Sequence, residues 1–136
     1  MNRIDLFKKH LEEKRAVKII AGIDNFNTES VRNVVSAAEM GGASAVDVCY
    51  NEEIIKMAKE MTSIPVFVSS IVPEELANAV ILGADAIEVG NFDALYKKGQ
   101  RISAENVLEI VNETLRLLNG AKTFICVTVP GHIDIS

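Results

Sequence analysis

The stretch Gly83-Ala84-Asp85-Ala86-Ile87-Glu88-Val89-Gly90-Asn91-Phe92-Asp93 constrains the fold of this chain more than any other. A glycine stops a helix, a short apolar strand follows, and a polar loop leaves the strand's C-terminal end. Gly42-Ala43-Ser44-Ala45-Val46-Asp47-Val48 repeats the design earlier in the chain. A strand–helix unit that recurs with apolar strand cores predicts a parallel sheet covered by helices. Hydrophobic residues make up 49% of the sequence and aromatic ones only 5%. The core is therefore built from Val, Ile, Leu and Ala, which suits parallel strands and the helices that cover them.

Extending that unit in both directions predicts strands near 17–22, 45–49, 66–70, 86–90 and 124–129. An amphipathic helix over 3–14 precedes them, with Ile4, Phe7 and Leu11 at helical spacing and His10 beside the stripe as a surface or packing residue. Thr28 is the expected N-cap of the first crossover helix, whose inner face carries Val31, Val34, Val35 and Ala38. Asn51 caps the second, with Glu52 and Glu53 in its first turn and Lys56 and Lys59 later, an order that complements the helix dipole. Pro73 opens the third and Gly83 ends it. A longer connection over 91–101 holds a short helical turn at 94–98, and Ser103 caps the last helix.

Each crossover is long enough for parallel pairing and is expected to be right-handed. Two architectures fit one domain spanning 1–136. One is an open five-stranded doubly wound sheet. The other is the first part of a (β/α)8 barrel, whose full length is typically about 250 residues. Strand content alone does not separate them.

Composition narrows the partners. The formal net charge of −5 favours neither nucleic acid nor an anionic membrane surface. Lys8, Lys9, Glu12 and Glu13 fall where a secretory signal would be apolar, and the run Ala16–Ile23 is too short to span a bilayer and contains Lys18. Cys49 and Cys126 show no metal or redox spacing and fall inside strands as small hydrophobes, which fits a reducing compartment. Neither GxGxxG nor GxxxxGK[ST] occurs, nor do HExxH or GxSxG. With two histidines in the chain, no metal site is expected and no cofactor is indicated.

In either architecture, ligands bind where the C-terminal ends of strands open into loops. Polar residues there include Asp24, Asn25, Cys49, Asn51, Ser69, Ser70, Asn91, Asp93, Thr128 and His132. Strand alternation adds a sharper set. With Val46, Val48, Ile87 and Val89 facing the helices, Asp47 and Glu88 turn the other way, and Lys18 lies mid-strand in the first strand. One ammonium and two carboxylates then share one interior, where a charge needs a partner. Two readings are open. Lys18, Asp47 and Glu88 form a catalytic constellation, with Lys18 as base, Schiff-base amine or substrate anchor. Alternatively, they are an ion network that fills a barrel floor.

The loop 96–101 is locally basic. In one reading Asn91 and Asp93 orient a polar ligand, Phe92 turns inward as an apolar anchor, and Gly99 bends the chain to bring Arg101 onto the ligand's anionic group. In the other, these residues only cap the following helix and close the loop, and Lys97 and Lys98 are solvated.

Several of these segments resemble one family. They are Lys18-Ile19-Ile20-Ala21-Gly22-Ile23-Asp24-Asn25-Phe26, then Gly41-Gly42-Ala43 with Val46-Asp47, and the block Leu82–Asp93 followed by Tyr96, Gly99 and Arg101. Val127-Thr128-Val129-Pro130 completes the set. Over roughly residues 15–132 the chain resembles the hypothetical chloroplast frame twenty-three family of cyanobacteria and algal plastids, which has no assigned activity. The resemblance implies an aldolase-type barrel in the cytoplasm or plastid stroma. Two departures stand out. Family members continue beyond the fifth strand, and a histidine usually follows the Val-Pro pair directly, whereas Gly131 precedes His132 here. The expected ligand is a small anionic metabolite bound through Asn25, Asn91, Asp93, Arg101 and His132, with lyase- or isomerase-like chemistry. The rival expectation is a non-catalytic binding or assembly protein, or a truncated fragment. Open barrel edges are expected to drive self-association.

Overall fold

The computed structural model describes residues 2–134. Its order is α1 (Arg3–Glu12), β1 (Lys18–Ile20), α2 (Thr28–Met40), β2 (Ala45–Cys49), α3 (Glu52–Met61), β3 (Val66–Ser70) and α4 (Pro73–Ile81). β4 (Ala86–Val89), α5 (Asp93–Tyr96), α6 (Ala104–Leu118) and β5 (Phe124–Val127) follow. The five strands form one sheet in the order β1-β2-β3-β4-β5, and every neighbouring pair is parallel. A doubly wound sheet reverses its strand order at a switch point. This one never reverses, so its winding is that of a barrel arc and the doubly wound alternative is excluded. Among the described residues, β1 and β5 each have a strand neighbour on one side.

The sheet's two faces differ in what they bury. Towards the crossover helices, Val46, Val48, Val66, Val68, Ile87 and Val89 meet Val31, Val35, Ile54, Ile55, Leu76 and Val107. Lengthwise strand alternation sends Ala45, Phe67, Ala86 and Phe124 to the other face. There they pack under α1, against Ile4 and Phe7. Small and large residues alternate from strand to strand in this layer, which lets the two phenylalanines fill the curve. Phe7 stands edge-on to Phe67 and to Phe124, with ring centroids 4.9 Å and 5.8 Å away. α1 is thus a plug in the N-terminal end of the arc.

Local chemistry explains most element ends. Asn51 Oδ1 accepts from Ile54 N at 3.1 Å, and Ser103 Oγ accepts from Asn106 N at 3.1 Å, as expected of both caps. The cap of α2 is Asn27 rather than Thr28. Its Oδ1 accepts from Ser30 N at 2.9 Å, which moves Thr28 into the first turn. β1 and β5 are shorter than expected, although Ala21 N still bonds Asp47 O and Thr128 N still bonds Val89 O, both at 2.9 Å. α1 stops at Glu12, and Leu11 lies outside the buried stripe with 46% of its surface exposed. His10 takes the inward position instead and shares a 2.7 Å hydrogen bond with Ser44 Oγ. Among the described residues no helix is long and apolar enough to cross a membrane.

Candidate functional site

Directly above the aromatic layer, the concave face carries charge. Lys18 on β1 sits with its ammonium 4.7 Å from the centre of the Phe67 ring. It pairs with Glu88 on β4 and lies 3.3 Å from Asp47 Oδ2 on β2. Asp47 is fully buried, and its Oδ1 accepts from Ser69 Oγ at 2.6 Å. Thr128 Oγ1 donates to Glu88 Oε1 at 3.0 Å. Lys18, Asp47 and Glu88 therefore converge, as strand alternation predicts. Ser69, Thr128 and the ring of Phe67 complete the group; their place on the inward face was legible, but their partners were not.

The three charges settle into unequal protonation states. Burial is the largest influence on Asp47, and with its hydrogen bond to Glu88 it outweighs the Lys18 charge, pushing the carboxyl up to about 7. Asp47 Oδ2 is buried and makes no hydrogen bond of good geometry, with the Lys18 ammonium its charged neighbour at 3.3 Å. Burial also opposes ionisation of Glu88, but hydrogen bonds from Asp47 and Lys18 and the Lys18 charge prevail, so Glu88 is held below the usual carboxylate range. Burial disfavours the Lys18 ammonium, yet the Asp47 charge and the Glu88 contacts outweigh it, and its pKa rises. One proton is shared by an acid pair beside a fixed cation. Both thiols are held up chiefly by burial, Cys49 to about 11, so neither is a ready thiolate.

The strand ends open into a cleft of about 470 Å³. Its polar lining includes Ser69, Ser70, Tyr50, Asn91, Asp24, Glu75 and Lys98, and Phe26 and Leu95 form part of its apolar wall. A second cleft, of about 370 Å³, lies between Tyr96, Gly99, Gln100, Arg101 and His132. α5 separates the two, with Leu95 on one and Tyr96 on the other. The expected ligand residues are divided between these places. Asn91 lines the first cleft, and its Oδ1 also accepts from Asp93 N at 3.2 Å. Arg101 and His132 meet at the second, where His132 bonds Ile102 O at 3.0 Å. Asp93 is exposed at the start of α5. Asn25 closes its own loop, donating to Ala21 O and Ser30 Oγ, both at 3.1 Å, while its Oδ1 accepts from Asn27 N. Phe92 is buried, the inward anchor that the loop required.

Gly90 holds the loop close to the charged group. Its φ is +125°, and a Cβ there would come within 2.7 Å of Thr128 Cβ and Oγ1. Only glycine lets Thr128 reach Glu88. Among the described residues, no three His, Cys, Asp or Glu side chains gather as a metal-ligand set.

These protonation states set a pH dependence. Folded Asp47 keeps its proton to about pH 7, whereas an unfolded aspartate loses it near pH 4. Between those values the native state binds more protons, so Asp47 lowers stability as pH rises through that window. Glu88 acts with the opposite sign: its contribution is present above its unfolded pKa and is lost as pH falls through the lowered folded one. Asp47→Asn imitates the protonated acid. In chemical denaturation followed across pH, the variant should lose the decline between about pH 4 and 7 and keep the acid limb. An unchanged slope in that window would contradict the assignment.

The whole chain, residues 1–136, matches the family model described as protein of unknown function (DUF561). Similar curated proteins are each described as "Uncharacterized protein ycf23". That of Antithamnion sp. is 42% identical over 121 residues, covering 89% of this chain and 43% of its own length. That of Cyanophora paradoxa is 39% identical over 130 residues, covering 95% and 51%. The chain thus spans about half the length of the curated relatives it matches. Among solved structures, dihydropteroate synthase from Xanthomonas albilineans in complex with 7,8-dihydropteroate aligns at TM-score 0.47 and 16% identity, over 86% of this chain and 59% of that one. An amidohydrolase aligns at TM-score 0.40 and 16% identity, over 97% and 38%. The chain belongs to the DUF561 family.

Proposed function

We propose that this chain binds a small metabolite bearing a carboxylate or phosphate in the cleft at the C-terminal ends of its strands, and that it catalyses lyase- or isomerase-like proton transfer there. One observation carries this reading: Ser69 lines the cleft and donates to the buried, proton-sharing Asp47. Ser69 is thus the link between ligand and acid pair. A proton leaving a ligand carbon passes to Ser69 Oγ as Ser69's own proton passes to ionised Asp47 Oδ1, and the reverse transfer reprotonates the ligand. A pKa near 7 suits Asp47 to both directions at neutral pH. Lys98 and Asn91 hold the ligand's polar groups. Lys18 acts as a charge; its raised pKa keeps the amine protonated and argues against an imine.

The rival reading, a non-catalytic binding protein, draws support from the saturation of Lys18 by Glu88, Asp47 and the Phe67 ring. Deuterium exchange separates the two. Incubated in D2O with pyruvate, 2-oxoglutarate, dihydroxyacetone phosphate and 5-aminolevulinate, the protein should speed deuterium entry beside the carbonyl of at least one, read by proton NMR. Asp47→Asn should slow that exchange by about 100-fold or more. Exchange at the protein-free rate for all four would end the catalytic reading.

We also infer self-association through the arc's edges. Ile20 in β1 and Val17 just before it are exposed, as are Val127 at the end of β5 and Val129 just after it. Unpaired strand edges with apolar flanks seek partners. Light scattering should show mass rising with concentration, and Val127→Lys should suppress the rise. A monomer at every concentration would refute it.

A further inference from the structure

The cleft at the strand ends contains two opposite charges that do not satisfy each other. Asp24 stands in the loop after β1, and Lys98 follows α5 on the far side of the arc. Among the described residues neither has an ion-pair partner, and neither makes a side-chain hydrogen bond. Glu75, which lines the same cleft, accepts from Ser70 Oγ at 2.5 Å and has no ion-pair partner among the described residues. An anion alone would meet one lysine and two carboxylates here, which is a poor match. The cleft wall also carries apolar side chains, Ile23, Ile71, Val72 and Leu95, and Phe26, an aromatic side chain with 59% of its surface exposed. Phe26 thus offers an uncovered ring face to a ligand body that enters the cleft.

Resting on the ligand cleft proposed above, we infer that the ligand is amphoteric: an ammonium or similar cation faces Asp24 and Glu75, a carboxylate or phosphate faces Lys98, and an apolar or planar body lies against Phe26. The class is that of amino-acid-like or aminated acidic metabolites. Simple dianions such as inorganic phosphate lack the second charge and the body. The two unpaired charges then act as a ruler, since a ligand must span them to satisfy both. A charge-assisted contact at each end gives both affinity and orientation.

A matched set of probes isolates each end. L-Phenylalanine carries both charges, 3-phenylpropionate only the anion and 2-phenylethylamine only the cation. Titration calorimetry on the 136-residue chain should show L-phenylalanine binding about tenfold or more tightly than either. Asp24→Asn should erase its advantage over 3-phenylpropionate, and Lys98→Gln its advantage over 2-phenylethylamine. Both are exposed positions, so folding should be unaffected, which circular dichroism will verify. Equal binding of L-phenylalanine and 3-phenylpropionate, or tighter binding of inorganic phosphate, would overturn the amphoteric class while leaving the cleft as an anion site. Binding of none of the four would overturn both readings.

Discussion

The contact between Lys18 and Glu88 is the constraint on which the rest of the structure depends. The two residues lie on β1 and β4, which are separated by two intervening strands. In a flat sheet, three inter-strand steps would place them roughly 14 Å apart sideways, and the register adds an offset along the strands, because Lys18 is level with Ala45 whereas Glu88 is level with Ser69 and Cys49. Their direct pairing therefore demands a tightly curled sheet. Phe67 and Phe124 say the same one layer below, with centroids 5.9 Å apart although β4 lies between their strands. Curling makes an interior, and an interior needs a floor. α1 supplies it through Phe7.

Curvature also dictates the electrostatics. It crowds one ammonium and two carboxylates into a space from which Asp47 has lost all contact with water. Two ionised carboxylates beside one cation would leave a surplus negative charge there. The proton on Asp47 removes it, and the group becomes neutral without losing a hydrogen bond. That proton is also the chemically useful feature, because Ser69 connects Asp47 to the cleft above. A single geometric fact thus leads from sheet topology to a site with acid–base capacity.

Much of this was legible in the sequence because strands have a strict period of two. That period alone assigns Asp47 and Glu88 to the face opposite Val46, Val48, Ile87 and Val89, and the assignment survives small errors in strand ends. Helix caps were less secure. Asn27 and Thr28 are adjacent and both competent, and the choice turns on which side chain meets the Ser30 amide. Loop residues were the least legible. Asn91 and Arg101 flank the same short helix, yet α5 sends them to different clefts. Lys98 reads as a solvated lysine in a basic run, and only the packing of α5 brings it to the cleft wall. Asn25 looks available at a strand end, but its amide is consumed in closing the loop. Strand direction is a local property, whereas the cleft that a loop residue joins is a tertiary one.

A double-mutant cycle on Lys18→Met and Glu88→Gln tests the central claim most directly. The unfolding free energies of wild type, both single variants and the double variant isolate the coupling across the arc. If this pair closes the curve, the coupling should be about 1–3 kcal/mol, as for residues in direct contact within one charge network. Additivity within about 0.3 kcal/mol, the behaviour of distant sites, would show that β1 and β4 do not meet through these side chains, and the account built on their contact would fail.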